Sequence, residues 1–297
     1  MKLTSLFFCI FCILSIANAQ QPLWLAKGNT QLTLYPQSGP PFWGLIANDS
    51  IGNVYVTGTF KDSVNFGNTT LTSAGDHDIF IAKIDRTGQW IWAKRAGGTD
   101  FDAATSIAVD AQGNVLICGG FGGSFQIGPN TITSVGINDV FVAKVDPTGN
   151  WLWASTAGGA NADAGMGICT NQQGNVFVTG EFRDTLHAGA QSIVSLGLSD
   201  GFVGKLDGGN GQWQWLTHIG AKGNSDKVAK MKADVQGNLY LCGMFSDSLH
   251  CGNLLLTNPS INPNLSNFSE LFLAKINDAG QFQWAISGGG YDKDQAT

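Results

Sequence analysis

The chain has 297 residues, 43% of them hydrophobic, and a formal net charge of −6. That is ample apolar material for a core and excludes a disordered chain. Charged residues make up only 13%, with three Arg (Arg86, Arg95, Arg183) and two Glu (Glu181, Glu270). No basic stripe is available to displace counterions, so a nucleic-acid partner is excluded.

In chain order, the first segment reads as a secretory signal. Lys2 supplies a positive start, residues 6–16 are apolar, and Ala17-Asn18-Ala19 is a small-residue cleavage site. Residues 1–19 are expected to be removed, leaving a mature chain from Gln20. The apolar run is too short to span a bilayer, and no cysteine follows the cleavage site. The mature chain is therefore expected to be secreted or held at the cell surface, without membrane insertion. Next comes Leu23-Trp24-Leu25-Ala26-Lys27, which reads as an orphan copy of a strand that recurs further on.

From there the chain repeats itself. Gly-Asn-Val-Tyr-Val-Thr-Gly at 52–58 returns at 113–119, 174–180 and 237–243, with steps of 61, 61 and 63 residues between the first glycines. Such repetition means similar supersecondary modules, each burying its apolar face on a neighbour. Each unit begins with a short strand (Ser106-Ile-Ala-Val-Asp110 in the second). A turn of the form Asp-x-x-Gly-Asn follows, where the Asp side chain caps and the Gly takes a positive φ. Then come the central strand, a polar hairpin (64–71 in the first unit) and Asp78-Ile-Phe-Ile-Ala-Lys-Ile-Asp85. A second turn leads into Trp90-Ile-Trp-Ala-Lys94. Nothing has a helical period.

The central strands are apolar at consecutive positions, which implies burial on both faces. Blades of a propeller, each sandwiched between two others, meet that demand, and four strands per unit match one blade. The fold expected is an all-β propeller of four-stranded blades spanning 20–297. It has four full repeats of about 61 residues (approximately 43–98, 104–159, 165–221 and 228–289) plus the orphan N-terminal strand. The fourth unit has its own last strand, Phe282-Gln-Trp284, and Gly288-Gly-Gly-Tyr-Asp-Lys-Asp294 then begins a linker to another unit. The economical reading is an incomplete ring with one or more blades missing; the rival is a closed four-blade ring with a spare strand.

These signatures (Asp-x-x-Gly-Asn-Val-Tyr-Val-Thr-Gly, then Asp-Ile-Phe-Ile-Ala-Lys-Ile-Asp, then Trp-Ala-Lys, then Gly-Gly-Thr-Asp-x-Asp) resemble the SBBP-type β-propeller repeat of exported bacterial proteins. The resemblance covers nearly the whole mature chain. It implies a propeller at or outside the cell surface and brings no catalytic residues with it.

Candidate sites are few. The pairs Trp90/Trp92, Trp151/Trp153 and Trp213/Trp215, with Phe282/Trp284, are spaced to share one strand face. They suit either sugar stacking or, since every unit has them, the interface between blades. Asp100/Asp102 and Asp292/Asp294 form Asp-x-Asp loops, with Asn161/Asp163 and Asn224/Asp226 between. These offer oxygens for calcium, but two side chains per loop fall short of the six or so ligands calcium takes, and turn capping competes. Lys83, Lys144, Lys205 and Lys275 each follow an acid by five residues. That offset puts acid and base on opposite faces, so a structural ladder between strands or blades is expected. Cys118, Cys169, Cys242 and Cys251 replace small or apolar residues of other units, which favours core packing over a Cys242–Cys251 bridge. The four histidines lie at unrelated positions, away from any nucleophile motif.

The fourth unit departs from the pattern. It carries Lys230 and Lys232 on its first strand, where the second unit has Ser106 and Ala108, and a loop between Asn258 and Ser269 with seven extra residues. Two lysines on one side of an innermost strand would offer the central channel an anion contact. The expected function is a non-enzymatic extracellular module binding a protein or carbohydrate. A polysaccharide-active propeller and a spacer of a larger surface protein are the alternatives. No cofactor is called for beyond the calcium considered above.

Overall fold

The computed structural model describes residues 45–223, 225–258 and 270–289. The signal segment, the orphan strand at 23–27, the body of the long loop and Asp292/Asp294 lie outside them. Among the described residues every regular element is a strand.

The first blade runs β1 (Leu45–Asn48), β2 (Val54–Phe60), the hairpin β3 (Ser63–Phe66) and β4 (Thr69–Thr72), β5 (Asp78–Ile84) and β6 (Trp90–Gly98). The second runs β7 (Ala103–Val109), β8 (Val115–Phe121), β9 (Ser124–Ile127), β10 (Asn130–Thr133), β11 (Asp139–Val145) and β12 (Trp151–Ala157). The third comprises β13 (Ala164–Thr170), β14 (Val176–Phe182), β15 (Thr185–Ala188), β16 (Gln191–Val194), β17 (Asp200–Leu206) and β18 (Trp213–Gly220). The fourth comprises β19 (Lys227–Ala233), β20 (Leu239–Phe245), β21 (Ser248–Cys251), β22 (Leu254–Thr257), β23 (Glu270–Ile276) and β24 (Phe282–Gly288).

Each blade is a four-stranded antiparallel meander, for instance β7-β8-β11-β12. Its first turn forms as its residues dictate. Asp49 Oδ1 accepts from the N–H of Ile51 (3.1 Å) and of Asn53 (2.8 Å), while Gly52 sits at φ 90°. Asp110, Asn171 and Asp234 repeat this cap. The first strands of successive blades lie side by side, with Thr105 Oγ1 donating to Gly165 O and Ile168 N to Ser106 Oγ, so they form the inner wall.

The hairpin is more than a polar excursion. It leaves its own blade and adds to the outer strand of the preceding one, giving the sheet orders β1-β2-β5-β6-β9-β10 and β13-β14-β17-β18-β21-β22. Between the second and third blades the same contact shrinks to one bridge, Gly158 with His187. Glycine at the end of the outer strand permits it, since a Cβ on Gly98 would lie 1.8 Å from Ser124 O.

Packing between blades builds the core. β11 is buried along its whole length, and β8 at all but one position. One core layer joins blades one and two, another joins two and three, and a third joins three and four. The end blades differ. β20 and β23 alternate between buried and more exposed residues, because none of the described residues covers the face turned away from the third blade. At the other end Ile46 is 62% exposed, whereas its counterpart Ile168 is 6% exposed. The four described blades thus form an open arc. A closed four-blade ring would cover both of these faces.

Candidate functional site

The repeated polar residues are taken up at the junctions. Lys83 Nζ donates to Pro147 O (2.9 Å) and Lys144 Nζ to Gly208 O (2.8 Å), while Lys205 Nζ reaches Asp278 Oδ2 (2.7 Å). Each contact runs from the third strand of one blade to the last turn of the next, the ladder expected from the sequence. A Trp joins it at the same turn: Trp92 Nε1 donates to Pro147 O, Trp153 to Gly208 O and Trp215 to Asp278 O. The ring beneath the ammonium is Tyr55 or Phe177 in the outer two of these junctions.

The tryptophan pairs do not share a face. Ile84 pairs with Trp90 but Lys83 pairs with Trp92, so a β-bulge intervenes and turns the two rings to opposite sides. Trp90 packs on Phe66 of its own hairpin, 4.9 Å between centroids, while Trp92 enters the next junction. The same bulge recurs in the other three blades. An exposed row of sugar-stacking Trp is therefore not what the residues form. A groove of about 620 Å³ on the outer side is lined by Ser155, Thr156, Asn210, Gln212 and Trp213, and there Trp213 Nε1 is committed to Thr156 O.

The Asp-x-Asp loops split their two acids. Asp102 is buried and accepts from Gly98 N (2.7 Å) and Gly122 N (3.2 Å), while Asp100 is exposed. Asp163 and Asp226 repeat the role of Asp102. Burial pushes Asp102 and Asp226 up to about 7 and Asp163 to about 6. These carboxyls bind the end of one blade's outer strand to the start of the next blade's hairpin. Among the described residues no group of three or more His, Cys, Asp or Glu side chains is placed to hold a metal ion. Cys118, Cys169 and Cys251 are buried, as their positions suggested, and burial raises each thiol to about 12.

Lys230 and Lys232 stand apart from this regularity. Both are exposed. A bulge in β19 sets the register so that Lys230 opposes Cys242 and Lys232 opposes Tyr240. Opposed residues share a face, so the lysines lie on the uncovered side of the fourth blade, at its inner edge, rather than simply facing into the channel. Their charge lowers the Cys118 and Cys169 thiols against the dominant effect of burial. One row across this sheet reads Lys232, Tyr240, Lys275, Trp284, with Lys275 Nζ 5.2 Å from the Tyr240 ring centre. Sequence reasoning found the lysines but not this row, because the bulges that set its register leave no mark in residue spacing.

No family model matches the chain. It is 24% identical to an uncharacterized WD repeat-containing protein of Acanthamoeba polyphaga mimivirus, over 61% of this chain and 16% of that one. It is 25% identical to the regulatory protein FlaEY of Caulobacter vibrioides, over 78% of this chain and 24% of that one. The chain thus spans less than a quarter of the length of these relatives. Among solved structures it is similar to the quinohemoprotein alcohol dehydrogenase of Comamonas testosteroni, at 12% identity and a TM-score of 0.39, covering 82% of this chain and 36% of that one. The blade architecture, with a WD-repeat relative beside it, makes this a repeat β-propeller protein.

Proposed function

We propose that this protein is an exported, non-enzymatic propeller of the SBBP type that binds a partner outside the cell. Its unit-specific contact is the cationic inner edge of the fourth blade. One observation carries the reading. Nearly every buried polar side chain recurs blade by blade with a structural partner, whereas Lys230 and Lys232 are exposed and occur in one unit only. A single active site would break the repeat with a convergent acid, base and nucleophile. On a chain of net charge −6, two adjacent lysines favour an anionic contact, either an acidic glycan or an acidic stretch of protein. A relative named for WD repeats agrees with an interaction module.

The test is an array of glycans and surface proteins probed with the purified protein and with Lys230→Glu/Lys232→Glu. Salt-sensitive binding to an acidic surface, weakened at least tenfold by the double substitution, is expected. Binding to nothing on the array would leave a spacer. Turnover of a polysaccharide abolished by one substitution would make the protein an enzyme.

A further inference from the structure

The outer strand of the second blade has an unguarded edge. Charged side chains commonly protect such edges, yet β12 reads Trp151-Leu-Trp-Ala-Ser-Thr-Ala157 and carries none. In β6 the places of Ser155 and Thr156 are held by Lys94 and Arg95. Arg95 turns back to pair with Asp78, and Lys94 lies over the last turn of the second blade, its Cε 2.9 Å from where a Cβ on Gly149 would stand. In β18 the same places hold Thr217 and His218, and His218 Nε2 lies 2.6 Å from Asp200 Oδ2. Ser155 and Thr156 are too short for either reach, and at their side the groove of about 620 Å³ opens. Its floor is backbone. Gly158 donates to and accepts from His187 of the next blade's hairpin, 3.0 Å each way. Alternate residues of an antiparallel strand turn their N–H and C=O to the same side, so Thr156 and Ala154 point theirs outward as well. The bond from Trp213 Nε1 to Thr156 O, 2.9 Å, agrees with that direction. Thr156 N, Ala154 N and Ala154 O have no partner among the described residues. The ladder that the hairpin starts at Gly158 therefore has its next places unfilled.

We propose that this groove takes an extended peptide of a partner protein, which adds to β12 as a fifth strand in line with β15. The chain already uses this mode on itself. The hairpins β9–β10 and β21–β22 are the fifth and sixth strands on β6 and β18, while on β12 the hairpin makes one bridge. A row of unpaired N–H and C=O groups at strand spacing is matched by another backbone, which presents the complementary row; a sugar does not. The peptide residue opposite Ala154 donates to Ala154 O and accepts from Ala154 N, and the one opposite Thr156 accepts from Thr156 N. Opposed residues share a face, and the two walls differ. Ala154 lies on the side of Ile132, against the core between blades one and two. Ser155 points the other way, toward the side where Trp213 packs and where Asn210 and Gln212 line the groove. Aliphatic residues facing Ile132 therefore alternate with polar ones facing Trp213 and the two amides. No charged side chain lines the groove, so the contact is insensitive to salt. It lies between two described blades and does not involve Lys230 or Lys232.

The test is titration of the purified protein with capped heptapeptides that alternate Thr with Val, Leu or Phe, with hydrogen exchange read at the Ala154 and Thr156 amides. Saturable binding of at least one peptide, unchanged from low to high salt, is expected, with both amides slowed when it is bound. Methylating the peptide nitrogens is the decisive arm. N-methyl groups on the aliphatic residues, whose N–H groups face β12, should abolish binding, whereas N-methyl groups on the Thr residues should leave it. Ser155→Lys/Thr156→Arg copies the first blade, gives Asp139 the partner that Asp78 has, and should weaken binding at least tenfold with circular dichroism unchanged. No saturable binding by any of the peptides would overturn the proposal, and so would equal losses from the two methylation patterns. Slow exchange at Ala154 and Thr156 before any peptide is added would mean that the chain itself covers this edge, and would overturn it too. Lys230→Glu/Lys232→Glu should leave peptide binding as it was; a loss there would place the peptide on the fourth blade instead.

Discussion

The second and fourth blades have the same strand order and the same turn signatures, yet only one is buried on both sides. At equivalent positions Leu116 is 0% exposed and Tyr240 36%, and Val142 is 0% exposed and Leu273 40%. The fourth blade keeps its register, both bulges and its cation over an aromatic ring without a neighbour on that side. Blade geometry is therefore set within the blade, by turns and strand pairing. The neighbour contributes burial. In this arrangement stability is close to a sum of unit and interface contributions, and the same substitution in the two blades separates them.

The largest expected effect is a charge placed at the equivalent aliphatic position. Val142→Asp buries an unpaired carboxylate between the second and third blades and should cost at least about 4 kcal/mol. Leu273→Asp, on the uncovered face, should cost about 1 kcal/mol or less in the monomer. Chemical denaturation of the two variants checks this. Equal losses would mean that something covers the fourth blade in solution.

The next effect concerns the lysine. Lys144 is buried, forms an ion pair with Asp110 at 2.9 Å and donates to Gly208 O. Lys144→Met removes one partner of a buried pair, a loss of about 3–5 kcal/mol. Lys275→Met, on the face that no described residue covers, should leave the melting midpoint nearly where it was. If both variants melt alike, the lysine ladder is not the contact between blades that its geometry describes.

Much of this contrast was legible before any coordinates. Repeat length, strand order, turn chemistry and the lysine ladder all follow from Asp, Gly and β-branched residues at fixed offsets. Those are local preferences that strand pairing only reinforces. Four features escaped. The bulge at residue 91 turns Trp90 and Trp92 to opposite faces, and period-two counting cannot register one extra residue. The hairpin's move onto the preceding blade is a non-local pairing; its trace was Ala96-Gly97-Gly98, where a Cβ on Gly97 would meet the Asp78 carboxyl at 2.4 Å. The face of Lys230 and Lys232 depended on the bulge in β19 in the same way. Asp100 and Asp102 looked like a pair because they are two apart, but Asp102 is drawn inward by two backbone N–H groups that belong to other strands.

The smallest effect is the pH response, and it belongs to the junctions. Two sets of Asp recur, with opposite shifts. Turn carboxylates such as Asp110 and Asp146 accept several hydrogen bonds that outweigh desolvation and hold them below the usual value, Asp146 at about 2. Their stabilisation is complete above pH 4 and is lost only as pH falls from there toward 2. Asp102, Asp163 and Asp226 are raised to about 7, 6 and 7 by burial between blades. A raised carboxyl makes the folded state hold more protons than the unfolded chain, so its contribution is greatest near pH 4 and declines as pH climbs through 6 to 7. Between pH 5 and 7.5 the turn set is fully ionised in both states and silent. Melting temperature should therefore rise on acidification across that window, by roughly 2–4 °C for each kcal/mol regained. Asp163→Asn should flatten the part of the slope near pH 6, because the amide has no proton to take up. Asp234→Asn, at the first turn of the fourth blade, where the carboxyl is held below its usual value, should leave the slope in that window unchanged. A slope that follows Asp234 rather than Asp163 would place the titrating groups in the turns, and the junctions would then have no share in the pH response.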